Sequence, residues 1–518
     1  MEKIRLFLRR HPLLRDALLW VIPALLIGAI LRMMILSYSP YAYWGSDSRS
    51  YFSFASGVLN KFYFSLVEKR RFLYPIFLVP VSLLPGAPLR WLAWIQAALG
   101  LATLLPLAYI IRKVFFAWKL WIIPITVIFA GMPILLWYEH ELLAESVFFN
   151  SVVWAFAGWV AWISEKDRAR AQRLWWWFFV PLAILMLTKP SGRFLVPGIF
   201  VGLAIFGAWR LLTRRAVIAG VLLILLTFKM GDDNQAVWLL YTSTFPLTQL
   251  DTPLHAEYKA EIRDMVEAAR KNLDTYATED GEAFLFLRTP RDQTARPLWQ
   301  ELGKHEDKLS KVYKDLALEA IKAQPQLFAY ISLQRLIGSA NPARFDGERF
   351  DASYFSNRFQ RSFEQRRNTE EMIKLAFGIP RHAPYPPYEY FKQRIGPNPD
   401  SRAAIWLQSY TKHYQAAGAL VDEGANKKAG ITNDRPTALG WWILASALVA
   451  MFGPYRRTLG IWTLAMAIYL FGVFLVGVLH PRYFGPAWPV LTLLLPVILD
   501  CGLRALAAAA TRRHQAHS

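Results

Sequence analysis

Long apolar runs constrain this chain more than any other feature: LLWVIPALLIGAILRMMIL lies near its start and IWTLAMAIYLFGVFLVGVL near its end. Hydrocarbon offers no partner for backbone N–H and C=O groups, so a run of about 18 or more apolar residues reads as a helix that satisfies them internally while crossing a bilayer. A single such run is compatible with a buried core helix, but a series of them with charged flanks is not. Hydropathy places about ten spans, at 16–37, 91–111, 120–138, 142–163, 174–188, 194–211, 216–230, 438–453, 459–479 and 486–506. Composition agrees, with 54% hydrophobic and only 19% charged residues. The first run has basic flanks and no small-residue cleavage site after it, so it reads as a retained helix. Cys501 is the one cysteine, which excludes disulfides within the chain and cysteine-based metal sites.

Charge orients the spans. One set of short loops and ends carries Lys3, Arg5, Arg9, Arg10, Arg15, Arg112, Lys113, Lys119, Lys166, Arg168, Arg170, Arg173, Arg210, Arg214, Arg215, Arg456, Arg457, Arg504, Arg512 and Arg513. Against these 20 cations stand five acids, Glu2, Asp16, Glu165, Asp167 and Asp500. The positive-inside rule makes this set cytoplasmic, with both termini, in a cytoplasmic (inner) membrane. Residues 231–436 balance 28 Lys and Arg against 28 Asp and Glu and fall on the opposite side. The net charge of +21 therefore reflects orientation and gives no support to nucleic-acid binding.

Three units follow. Residues 1–230 form an N-terminal transmembrane module with an outward loop at 38–90, and residues 437–518 supply the C-terminal transmembrane helices and a cytoplasmic tail. Between them, 231–436 reads as a mainly α-helical extracytoplasmic domain. Its helical periodicity is clearest in HAEYKAEIRDMVEAARKNL, LSKVYKDLALEAIKAQPQLFAYISLQRLI and SRAAIWLQSYTKHYQAAGALV, with turn-rich connectors between. The segment holds no catalytic constellation of its own, which leaves acceptor recognition and simple capping of the membrane part as its two readings.

Ionisable residues beside hydrocarbon are costly and tend to be paired or functional. Here they gather at the outward ends of spans. Asp47 and Ser48 follow the first span; Lys69, Arg70 and Arg71 share its loop; Glu139, His140, Glu141 and Glu145 lie between the third and fourth. Lys189 and Arg193 join the fifth and sixth, Lys229 ends the seventh, and His480, Arg482 and Tyr483 join the ninth and tenth. Lys189, Arg193 and Lys229 would serve equally as snorkelling anchors, His480 as a structural histidine and Glu145 as an ion-pair partner. Asp47, isolated among Gly, Ser and aromatic residues, is hardest to explain structurally. No nucleotide-phosphate loop, Ser-His-Asp signature or HExxH motif is present, since HELLAE has Glu where the second His belongs.

The order of these signals resembles the GT-C superfamily of polytopic glycosyltransferases, which includes protein O-mannosyltransferases and lipid A aminoarabinose transferases. The matching pieces run from about residue 40 to 500: SDSRSYFSFA, RRFLYP, ELLAESVFF, LTKPSGRFLVP, LEAIKAQPQLFAYISLQRL and HPRYFGPAWPVL. The resemblance implies an all-α polytopic fold that transfers a sugar from a polyprenyl-phosphate donor, delivered in the bilayer, to an acceptor hydroxyl on a glycan, lipid or protein. Asp47 would be the general base, with Glu139 and Glu141 as further catalytic carboxylates and Ser48, His140 and Glu145 supporting them. Arg70, Arg71, Lys189, Arg193, His480, Arg482 and Tyr483 would hold the carrier phosphate. Many relatives place a second acid directly after the first. Ser48 stands there instead, which predicts a metal-independent enzyme, although Asp47 with Glu139 or Glu141 would still offer a divalent cation an acidic pair. A lipid-linked glycan polymerase or ligase would use the same residue types. A transporter fits less well, because the halves do not repeat and, Arg32 apart, the polar groups keep to one face.

Overall fold

The computed structural model describes residues 12–44, 48–61, 73–206, 233–271, 306–340, 370–391 (without 381 and 388), 401–422, 435–475 and 481–517, with isolated positions at 217–225 and 273. It is an α-helical polytopic membrane protein. Six helices are long and apolar enough to cross a bilayer, or seven if a bent pair is one span, and three shorter apolar helices accompany them among the described residues. The described residues do not confirm the expected count of about ten. Leu73–Ser82, Ser191–Ile205 and Ala438–Phe452 are the shorter helices, and most of 216–230 lies outside the described residues.

Helix α1 runs Pro12–Tyr38, followed by α2 (Ser48–Lys61) and α3 (Leu73–Ser82). Then come α4 (Pro88–Ala102) and α5 (Leu104–Val114), which together make one span. Pro88 starts α4 where a missing N–H costs nothing. Next is the bent pair α6 (Trp118–Ala130) and α7 (Pro133–Glu139), inclined at 51°. The bend has a local cause: Pro133 carries no N–H to continue the ladder of α6 and instead opens a new helix. Where hydropathy reads one span over 120–138, the chain makes a broken one.

Helices α8 (Glu145–Ser164) and α9 (Arg168–Thr188) form an antiparallel pair, and Asp167 caps α9 by accepting from the Ala169 and Arg170 amides. Helix α10 (Leu195–Ile205) follows a short 3-10 turn. The long segment contributes α11 (Asp233–Thr244), α12 (Ala256–Lys271), α13 (Glu306–Ala323), α14 (Pro325–Ser339), α15 (Glu370–Ala376) and α16 (Arg402–Ala417). Helices α17 (Ala438–Phe452), α18 (Ile461–Leu475), α19 (Pro481–Phe484), α20 (Trp488–Leu494) and α21 (Val497–His517) complete the chain. The strand content among the described residues is one antiparallel pair, β1 (Val421–Asp422) with β2 (Arg435–Pro436), and an isolated bridge.

One large apolar core joins the membrane helices and takes in α15 and parts of α16. Two smaller cores lie within α11–α14: Tyr241, Tyr258, Ile262 and Leu316 in one, Leu247, Phe328 and Ile331 in the other. Tyr241 and Tyr313 stack at 4.3 Å, and the fully enclosed Lys259 reaches Glu319 at 2.6 Å and bonds Thr252. A buried ammonium needs such partners.

The basic loop between α5 and α6 meets the start of α21 and Tyr455 at one end of the bundle. Asp500 there accepts from the Phe116 amide (2.9 Å), the Ala117 amide (2.7 Å), Trp121 Nε1 (3.0 Å) and Tyr455 Oη (2.5 Å). Arg112 lies over Trp118, and Arg504 over Tyr455 and Phe116.

Candidate active site

At the other end, the break after α7 holds the segment 139–142 from several sides. Gln96, an amide in the apolar run of α4, donates to the carbonyls of Glu139 and Glu141, both at 2.9 Å. Tyr74 of α3 donates to Gln96 Oε1 at 3.0 Å, which fixes the amide orientation. Glu139 Oε1 meets Arg32 of α1 at 2.6 Å, with both side chains buried. Arg32 also donates to the Gly28 and Ala130 carbonyls, the latter exposed where α6 ends. Gly100 makes room for this pair, since a Cβ at that position would collide with the Glu139 carboxylate. Glu141 Oε2 accepts from Trp137 Nε1 at 2.9 Å.

This segment in turn holds the start of the loop that follows α1. Tyr43 donates its amide to the His140 carbonyl (2.7 Å), and Leu142 donates to the Tyr43 carbonyl (2.9 Å) in a parallel bridge. Ser48 Oγ donates to the Leu142 carbonyl at 3.0 Å as α2 begins. Trp44 and Ser48, which flank 45–47, are both buried. His140 donates through Nε2 to the Ser39 carbonyl at 2.6 Å, and burial pushes its imidazole down to about 4, so the ring is neutral near pH 7.

A second pair lies where α8 begins and α9 ends. Lys189 Nζ meets Glu145 Oε1 at 2.8 Å, with side chains 7% and 2% exposed. The same ammonium sits 4.2 Å from the centroid of the Tyr483 ring, within cation–π range. Lys189 adopts extended backbone at the end of α9. Arg193 follows in the 3-10 turn with its guanidinium over Phe194.

The structure thus brings Glu145, Lys189 and Tyr483 together. It places Glu139, His140, Glu141 and Ser48 in one hydrogen-bonded assembly. Asp47, Lys69, Arg70, Arg71, Lys229 and His480 lie outside the described residues, as does the Arg482 side chain. Among the described residues no three of His, Cys, Asp and Glu converge as a metal set. Glu139 gives its Oε1 to Arg32, and its Oε2 has no partner among the described residues. Gln96, Tyr74 and Trp137 are the residues that sequence reasoning missed. Gln96 alone carried a signal, as the amide within WLAWIQAALGLATLL.

No protein-family model matches the sequence, and neither does any curated protein. Among solved structures, the chain is similar to the archaeal oligosaccharyltransferase AglB from Archaeoglobus fulgidus in complex with an inhibitory peptide and a dolichol-phosphate. That match has TM-score 0.40 and 14% identity, covering 96% of this chain and 52% of the other. The apo form of the Archaeoglobus fulgidus oligosaccharyltransferase gives TM-score 0.40 and 16% identity over the same shares. Its complex with Zn and sulfate gives TM-score 0.31 and 14% identity, over 86% of this chain and 53% of the other. The chain spans about half the length of these structures, and at such scores the likeness assigns it neither a family nor an activity.

Proposed function

We propose that the protein is a GT-C-type glycosyltransferase, which moves a sugar from a polyprenyl-phosphate donor to an acceptor hydroxyl at the extracytoplasmic face of the inner membrane. The observation that carries this reading is the Lys189–Glu145 pair, buried against Tyr483 where two spans end. An ammonium has three N–H donors, and Glu145 takes one at 2.8 Å. The others suit the phosphate of a lipid carrier, which only a site at the membrane can receive. In this reading Arg482, Arg193, His480, Arg70 and Arg71 add to the phosphate grip.

The reaction then needs one base. The acceptor oxygen attacks the anomeric carbon, its proton passes to the Asp47 carboxylate, and the bond to the phosphate oxygen breaks with its electron pair leaving on the phosphate. Phosphate is already a good leaving group, so the second, proton-donating carboxyl of a glycosidase is unnecessary. Glu139 and Glu141, engaged by Arg32 and Trp137, serve to hold the segment that tethers Tyr43 and Ser48 on either side of residues 45–47.

Asp47→Asn tests the assignment. General-base catalysis contributes about 10²–10⁴-fold, so release of polyprenyl phosphate from a polyprenyl-phosphate sugar should fall by that order, with donor affinity and thermal stability kept. Turnover near that of the wild type would remove Asp47 as the base.

A further inference from the structure

A cavity of about 310 Å³ lies between the bent pair α6–α7, the outward-segment helix α16, and the membrane helices α17 and α20. That is within the range of small-ligand sites. Met132, Ile134, Leu439, Ile443 and Leu491 give it apolar walls, and no Lys, Arg, His, Asp or Glu lines it. The polar groups around it are mostly turned into the protein. Tyr414 donates to the Ile128 carbonyl, Thr492 to the Trp488 carbonyl, and neighbouring Trp442 to the Leu495 carbonyl. An apolar cavity without charged walls stays dry and suits hydrocarbon.

Along 488–497 the chain presents two faces: Val490, Leu493, Leu494 and Val497 are fully enclosed at helical spacing, whereas Trp488, Leu491, Thr492 and Leu495 line the cavity on a stripe about 160° away. Along α17 the cavity is continuous with the bilayer-facing surface: Leu439 and Ile443 line it, while Trp441, Leu444 and Leu448 beside them are exposed. No cation lies at the walls to hold the phosphate monoester of an isoprenoid carrier, whereas the zwitterionic headgroup of a phosphatidylcholine carries its own counter-charge.

We propose that this cavity is a lipid site, separate from the charged site, that takes one acyl chain of a bilayer glycerophospholipid beneath the roof formed by α16. The test uses the full chain in phosphatidylcholine nanodiscs doped with a phosphatidylcholine that carries a diazirine on one acyl chain. After photolysis, labelled peptides should include Met132–Ile134, Leu439–Ile443 and 488–495. Leu491→Trp fills the cavity and should cut labelling there about tenfold, the factor that corresponds to ~1.4 kcal/mol, while labelling of exposed Leu444 and Leu448 persists. Ala417→Phe, at an exposed position on the rim, should act in the same direction without burdening the core. Label confined to exposed positions and unchanged in both variants would overturn the site. Displacement of the label by polyprenyl phosphate, but not by added phosphatidylcholine, would overturn the acyl assignment in favour of the carrier chain.

Discussion

An ammonium and a carboxylate enclosed together each give up hydration, and only their mutual contact returns it. Removing one partner of such a pair costs about 3–5 kcal/mol, whereas replacing both by neutral groups is often tolerated. Lys189→Met should therefore lower the thermal midpoint in detergent sharply, and adding Glu145→Gln should restore much of it. If Lys189 grips the carrier, the double variant regains stability but not donor affinity. Recovery of both would reduce the pair to a packing element. His140 supplies a pH signature, because its folded value of about 4 lies below the ordinary 6.5. Between those values the unfolded chain binds a proton that the folded chain refuses, so stability is full above pH 6.5 and falls as pH drops towards 4, by about 3 kcal/mol at most. His140→Gln should flatten that part of a stability–pH curve; an unchanged slope would exclude His140 as its source. Lys189, Glu145 and Tyr483 were legible in the sequence because charges at the ends of apolar runs stand out. The pairing of Arg32 with Glu139 was not, since contacts between residues 107 positions apart leave no local pattern.

The bend between α6 and α7 leaves carbonyls without helical partners, and α16 supplies two of the missing donors. Tyr410 donates to the Gly131 carbonyl at 2.6 Å and Tyr414 to the Ile128 carbonyl at 2.9 Å. Gly131 is required for this approach, because a Cβ there would strike the Tyr410 hydroxyl. A helix from the long segment is thereby fastened to the membrane part by two phenols. Each such bond contributes about 0.5–1.5 kcal/mol net, so the double variant Tyr410→Phe/Tyr414→Phe should raise amide exchange across residues 402–417 roughly tenfold or more while α8 and α9 stay protected. Equal exchange in wild type and variant would show that apolar packing alone holds α16. Periodicity identified SRAAIWLQSYTKHYQAAGALV as helical but was silent on what it covers. The signals for the break, Gly131 and Pro133, were present within a run apolar enough to read as one span.

At the scale of the molecule, two of the loops that charge alone grouped together, 112–119 and 455–457, meet in space around Asp500, while the acids and Lys189 occupy the opposite helix ends. The positive-inside rule predicts that the Asp500 end faces the cytoplasm. Topology reporters fused at Gln300 and at Ser518 should report opposite sides of the membrane, and a same-side result would overturn the orientation on which the choice of a lipid-borne donor depends. The fold class was readable because hydrocarbon restricts the backbone to so few solutions. The contacts that bring Glu145, Lys189 and Tyr483 together were only partly readable, because they depend on packing between distant segments. The Asp500 knot also bears on biosynthesis. Its four donors lie at Phe116, Ala117, Trp121 and Tyr455, whereas the acceptor is 384 positions after the first of them. A ribosome delivers the chain in order, so three of those donors reach the membrane long before the oxygen that will satisfy them. The Asp500 end of the bundle is accordingly among the last parts to close, and a nascent chain halted before residue 500 carries the Glu145–Lys189 end of the bundle and an open seam at the other.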